Sequence, residues 1–221
     1  KISLNLRSFD AKNTLRKKDE QLRNEIAELL VNEHELQPKA AKLLANWNPY
    51  DQNASAAFFD PEWMFGLRDG LNIVIGNPPY GILNKKQNKA ESILVSDKEL
   101  AYFKNDLLYS PALGGMLNIF RLFIIKSISL LSVDGIFSEI FPLAFIGDLS
   151  IKNLRKYILN NNQIQFIEAF PERDNPNKRV FEAVKMSVCI LNLINRKSDS
   201  DFFIRINQNR FIDILAEKNY L

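Results

Sequence analysis

The sequence predicts an α/β domain with a mostly parallel sheet that ends in an antiparallel hairpin, preceded by an N-terminal helical arm. Three observations lead there. From Leu71 onward, apolar runs of strand length alternate with helical patterns, the order that builds parallel strands joined by crossover helices. The loop Pro171–Val180 joins two such runs, Ile164–Phe170 and Lys185–Ile194, with no helix between them, which fits an antiparallel pair. Ahead of Leu71, the stretch Ala11–Asn46 is rich in Lys, Glu, Arg, Leu and Ala, the composition of amphipathic helix.

In chain order, Leu15, Leu22, Ile26, Leu29 and Leu30 recur at helical spacing, and Gln37-Pro38 breaks the helix. His34 lies among charges and reads as a surface residue. The sequence holds no His/Cys/Asp cluster with ligand spacing, so no metal site is expected. Asn48–Phe65 mixes turn formers with large aromatics, as in an irregular connector. Leu71–Gly76 then reads as a strand, and Gly81–Ser110 as a long polar connection with room for a short helix. An apolar helix is expected over Leu117–Leu131, with Asp134-Gly135 marking its end. A strand at Ile136–Pro142, a helix at Leu149–Asn160 and the two runs around the Pro171–Val180 loop complete the pattern. The tail Asp201–Asn207 starts another strand or leads into a further domain.

Composition sets the outer limits. With 221 residues, 46% hydrophobic and 25% charged, the chain can bury a substantial core. A net charge of +3 is compatible with a polyanionic partner without identifying one. The single cysteine, Cys189, excludes an internal disulfide framework and fits a reducing, cytoplasmic setting; its apolar surroundings make it a core thiol. No run approaches the roughly 18–20 apolar residues of a membrane helix. Charges from Arg7 onward do not fit a signal peptide. The chain opens on Lys1 rather than Met and reads as an excised fragment.

The most informative segment is Ile73-Val-Ile-Gly-Asn-Pro-Pro-Tyr-Gly81. A β-branched run delivers Asn77, Pro78, Pro79 and Tyr80 at the mouth of a strand, where ligand sites of open α/β sheets lie. Two prolines fix φ and push the residues before them toward extended geometry, making a stiff ledge. The Asn77 side-chain oxygen and the Pro78 carbonyl are two acceptors for the N–H groups of an exocyclic amine. Holding both N–H groups favours lone-pair character on a nitrogen that is otherwise conjugated into its ring. Tyr80 would lie against the ring face. The earlier Asn48-Pro49-Tyr50 has one proline and no preceding strand, so it carries little catalytic weight. A second aromatic would steady the ring from the other side, and Phe181 is the candidate. Lys85, Lys86 and Lys89 are weak candidates for phosphate contacts.

Four segments in order resemble the gamma-class N6-adenine DNA methyltransferases, particularly the methylase portion of type IIG restriction–modification enzymes. These are Gly76-Asn-Pro-Pro-Tyr-Gly81, Asn118-Ile-Phe-Arg-Leu-Phe-Ile-Ile-Lys-Ser-Ile-Ser-Leu-Leu131, Asp134-Gly-Ile-Phe-Ser-Glu-Ile-Phe-Pro142 and Val180-Phe-Glu-Ala-Val-Lys-Met-Ser-Val-Cys189. The resemblance implies a partial Rossmann-like methyltransferase sheet, S-adenosylmethionine as cofactor and double-stranded DNA as partner. It implies that Asn77 and Pro78 bind the target amino group. Pro79 would help shape the substrate site, Tyr80 would stack on a flipped adenine and Phe181 would contact its other side. Two departures stand out. Asn72 occupies a position where the family commonly has an acidic residue, and no glycine-rich cofactor loop precedes Leu71.

The expected division is therefore a helical arm and connector at 1–57, the catalytic half of a methyltransferase domain at 58–196, and a further segment at 197–221. The cofactor-binding half, any nuclease and most of a target-recognition domain would lie elsewhere in the parent. Two other readings stay open: a protein-glutamine or rRNA methyltransferase with a similar ledge, and a non-catalytic DNA-binding or scaffold module of a restriction complex.

Overall fold

The computed structural model describes residues 2–34, 36–48, 50, 51, 53, 58, 60–85, 92–212 and 218–220; side chains at 2–9, 34, 63 and 218–220 are outside the description. The chain divides into two compact units, Lys1–Arg68 and Asp69–Leu221.

The first unit holds α1 (Ile2–His34), α2 (Pro38–Asn46) and the short α3 (Pro61–Phe65). Pro38 occupies the first turn of α2, where a missing N–H costs nothing. The two longer helices close on small side chains: Ala27, Ala41 and Ala45 are buried, with Val31 and Leu36 against them. Leu15, Leu22, Ile26 and Leu29, the apolar stripe expected from the sequence, instead face solvent. Arg23 binds Asp19 Oδ2 at 3.0 Å and donates to the carbonyls of Ala45 (2.8 Å) and Trp47, where α2 ends. The segment expected to be irregular contains α3, whose Phe65 meets Trp47 edge-on with ring centroids 6.1 Å apart.

The second unit begins with β1 (Leu71–Gly76), β2 (Ile82–Asn84), β3 (Ser92–Leu94) and α4 (Asp97–Asn105), then a 3₁₀ turn at Leu107–Ala112. It continues through α5 (Ile119–Ser129), β4 (Leu131–Pro142), α6 (Ala144–Gly147) and α7 (Lys152–Asn161). The last four strands are β5 (Gln163–Phe170), β6 (Val188–Ile194), β7 (Phe203–Ile206) and β8 (Lys218–Tyr220). The main sheet has the order β1-β4-β6-β5-β7-β8. β1 pairs parallel with β4, and β5 with β7, while β6 runs antiparallel to both β4 and β5. Thus β1, β4, β5 and β7 share one direction, and the expected antiparallel pair is β5–β6. That pair is internal, because β6 inserts between β4 and β5. The polar connection folds a small parallel β2–β3 ribbon that the sequence reading did not anticipate.

Two boundaries move for physical reasons. α5 starts at Ile119 because Asn118 caps it, its side-chain oxygen accepting from Phe120 N–H. β4 then begins at once at Leu131, so Asp134-Gly135 is an irregularity within the strand rather than a helix end. Asp134 has φ 61°, and the pairing jumps from Leu71–Leu131 to Ile73–Ile136. Gly70 enters β1 at φ +90°, and a Cβ there would lie 2.7 Å from the Ser132 backbone nitrogen. Only glycine fits so close a crossing.

Alternation along β4 buries Phe137, Glu139 and Phe141 on one face. Across the sheet Phe137 aligns with Leu193 and Glu139 with Leu191. This face packs on α5 and α7 through Phe120, Ile124, Ile125, Leu154 and Ile158. Ile73 and Ile75 alternate onto the other face and are 62% and 80% exposed. Among the described residues β1 pairs with β4 alone, leaving its outer edge open.

Candidate active site

β1 ends at Gly76, opposite Glu139 of β4, while β4 runs three residues further to Pro142. The two prolines carry the chain out of the sheet beside that longer strand. Along the ledge Asn77 and Pro79 are exposed, Pro78 is buried, and Tyr80 is half-buried against the main core. The Tyr80 hydroxyl lies 2.7 Å from Asn77 Oδ1 and 2.9 Å from the Ile140 carbonyl. The phenol has one proton to donate, and the shorter of the two contacts is the one to Asn77 Oδ1. Burial, with contributions from nearby Cys189 and Glu139, pushes the Tyr80 phenol up and keeps it a donor. The Pro78 carbonyl accepts no hydrogen bond from the described residues.

The far end of the ledge is pinned by Asn118. Its Oδ1 accepts from Gly81 N–H at 3.1 Å as well as from Phe120 N–H at 3.4 Å, and Ile119 N–H donates to the Gly81 carbonyl at 2.9 Å. One side chain thus caps α5 and fixes the residue after Tyr80. Phe120, directly behind it, stacks on Phe141 at 5.7 Å and 18°, joining α5 to the end of β4.

Glu139 is a group the sequence reading did not single out. It is 3% exposed, Ser127 Oγ donates to its Oε1 at 2.6 Å, and its buried Oε2 finds no donor. A Cβ on Gly76 would lie 3.3 Å from that Oε1. Burial raises the Glu139 carboxyl above the ordinary range, and the Ser127 bond only partly opposes this. The period-2 pattern of Phe137, Glu139 and Phe141 was the available signal, since it sets the acid on the buried face.

Phe181 is carried by the loop between β5 and β6, and its ring centroid lies 6.4 Å from that of Tyr80 at 59°. Two parallel stacking contacts would need about 7 Å between the rings. Lys85 is exposed and ion-paired with Asp97, while Lys86 and Lys89 lie outside the described residues. In the Asn48-Pro49-Tyr50 segment, Pro49 also lies outside them; Tyr50 is exposed beneath the Arg16 guanidinium, 4.9 Å from its ring centre. Cys189 is fully buried, and burial pushes its thiol up, so it is no nucleophile. Among the described residues no group of three or more His, Cys, Asp or Glu could hold a metal ion. No described helix is long and apolar enough to cross a membrane.

A proline-stiffened acceptor ledge beside a parallel strand end sits within a longer region of family similarity. The profile of the Eco57I restriction-modification methylase family matches residues 1–175. The chain belongs to that family. The match includes the whole ledge and Asn118 and ends before Phe181. Among curated relatives, the type II methyltransferase M.HincII of Haemophilus influenzae is 31% identical over 154 residues, covering 67% of this chain and 28% of the relative. M.HindII of the Rd strain of the same species gives 31% over 154 residues, covering 67% of the chain and 27% of the relative. The chain therefore spans little more than a quarter of either relative's length. Similar solved structures include the type IIG restriction endonuclease BpuSI, with TM-score 0.48, 13% identity, and coverage of 68% of this chain and 19% of that one. A type I restriction–modification methyltransferase subunit from Streptococcus thermophilus gives TM-score 0.47, 16% identity, and coverage of 66% and 28%.

Proposed function

We propose that this chain is the base-gripping half of an adenine-N6 DNA methyltransferase of a restriction–modification system, acting on an adenine turned out of double-stranded DNA. The observation that carries the reading is the hydrogen bond that holds Asn77 Oδ1 on Tyr80, with Asn77 exposed and the Pro78 carbonyl accepting no hydrogen bond from the described residues. A planar aminopurine laid on Tyr80 brings its NH₂ edge to these two oxygens. Accepting from both N–H groups favours lone-pair character on the nitrogen, and the acceptors are fixed beforehand, so little reorganisation is needed. The tilt of Phe181 fits contact with the base at an angle rather than a parallel sandwich. Extruding the base costs a few kcal/mol, offset in part by base–aromatic stacking of roughly 1–3 kcal/mol. Lys85 would reach a phosphate only by leaving Asp97.

S-adenosylmethionine is the cofactor that goes with this reading, and it would supply the methyl group. No glycine occurs before Gly66, so on this reading the glycine-rich cradle of the cofactor comes from another part of the methylase. The open outer edge of β1 supports a further strand there, contributed by the rest of the methylase. In the complete methylase, Asn77→Ala should reduce methyl transfer by at least a hundredfold, the usual loss for a fixed polar group at a developing charge. DNA affinity should stay within about threefold of wild type, since phosphate contacts dominate it. Transfer at the wild-type rate in that variant would remove Asn77 from the chemistry.

A further inference from the structure

Phe181 sits on an irregular loop, and an aromatic ring on such a loop contacts a base reproducibly only if the loop is held. The outbound limb is shaped locally: Glu172 Oε1 accepts from the N–H groups of Asp174 (2.7 Å) and Asn175 (3.0 Å), and the Asn175 carbonyl accepts from Arg179 N–H at 3.0 Å. The return limb is tied at its base, where Ser187 Oγ donates to the Pro171 carbonyl at 2.7 Å. Near the tip one guanidinium joins the two limbs. Arg179 Nη1 donates to the Arg173 carbonyl at 3.1 Å, and its Nε (3.0 Å) and Nη2 both donate to the Glu182 carbonyl. Glu182 directly follows Phe181, so Arg179 grips the backbone on the far side of the ring it precedes. The Glu182 carboxylate is held as well, by Arg210 from the turn after β7.

We propose that Arg179 is a positioning residue that holds Phe181 at its tilted approach to Tyr80. The inference rests on the reading of Phe181 as a base contact. The planar fork matters more than the charge, because three N–H groups must meet two carbonyls in fixed directions. Lysine offers a point charge without that fork. Arg179→Lys therefore separates this role from a phosphate contact, which needs only the charge.

The test uses the complete methylase with 2-aminopurine at the target position, measuring flipping fluorescence, single-turnover methyl transfer and DNA affinity at two salt concentrations. Phe181→Ala should alter the fluorescence and slow transfer by roughly 5- to 150-fold, the span of one lost base–aromatic contact. Arg179→Lys should change both in the same direction, leaving affinity and its salt dependence unchanged. The double variant should be no worse than Phe181→Ala alone, as expected of residues acting through one another. Additive losses in the double variant, or Arg179→Lys behaving as wild type while Phe181→Ala is impaired, would overturn the positioning role and leave the base contact standing. A silent Phe181→Ala would overturn both.

Discussion

Glu139 and Gly76 form a contact whose consequences can be measured at single residues. The carboxyl occupies space that any side chain at position 76 would need, and one of its oxygens is buried without a donor. Because burial raises the Glu139 carboxyl, the folded state keeps its proton to higher pH than the unfolded chain. The stability this contributes is fully present below the unfolded value of about 4.3 and is lost as pH rises through the raised folded value. Glu139→Gln removes that dependence, so the variant should gain stability relative to wild type between pH 5 and pH 8 in urea unfolding. A wild type that instead gains on the variant as pH rises would mean the buried oxygen has a cationic partner. Glu139 was legible as a buried-face residue from alternation alone. Its closeness to Gly76 was not, because register between β1 and β4 depends on the irregularity at Asp134.

At the scale of elements, the ledge is a joint between β1, β4 and α5. β1 and the Asn-Pro-Pro-Tyr string were readable in order, since β-branched periodicity and proline stereochemistry are local. The fastening was not, because Tyr80 reaches Ile140 and Gly81 reaches Asn118 across 60 and 37 residues of chain. Asn118→Ala removes a helix cap and the acceptor for Gly81 N–H together. It should cost about 1–2 kcal/mol in chemical denaturation, the upper range for a cap. Asn118→Asp, which keeps the acceptor oxygen, should recover most of that loss. Equal loss in both variants would show that the amide nitrogen, rather than Oδ1, does the fastening. The same contrast between local and distant signals explains the helical arm. Its helices follow from composition and Pro38, but the alanines that close it were not separable from the leucines that face solvent.

At the largest scale, the sheet is covered by α5 and α7 on one face, and among the described residues its edge strand β1 pairs with β4 alone. Parallel strands are ordinarily covered on both faces, and an open strand edge with exposed isoleucines promotes association. On the proposed reading, in which a further strand beyond β1 completes the cofactor pocket, the isolated chain should show no micromolar S-adenosylmethionine binding in calorimetry. It should also self-associate in sedimentation, and Ile75→Lys should reduce that association with little change in helix content. Micromolar cofactor binding by the chain alone would mean that the pocket does not require a strand beyond β1. An unchanged sedimentation profile for Ile75→Lys would show that association uses another surface.

The sequence alone determined the order of β1, α5, β4, α7, β5 and β6, the stiffness of the Asn77–Tyr80 ledge and the family resemblance, because each depends on residues adjacent in the chain. Only the tertiary structure decided that β6 slots between β4 and β5, that Glu139 lies beneath Gly76, and that Arg179 ties both limbs of the loop bearing Phe181. Those outcomes rest on pairings between distant segments, where the free energy comes from mutual burial and register rather than from local conformational preference.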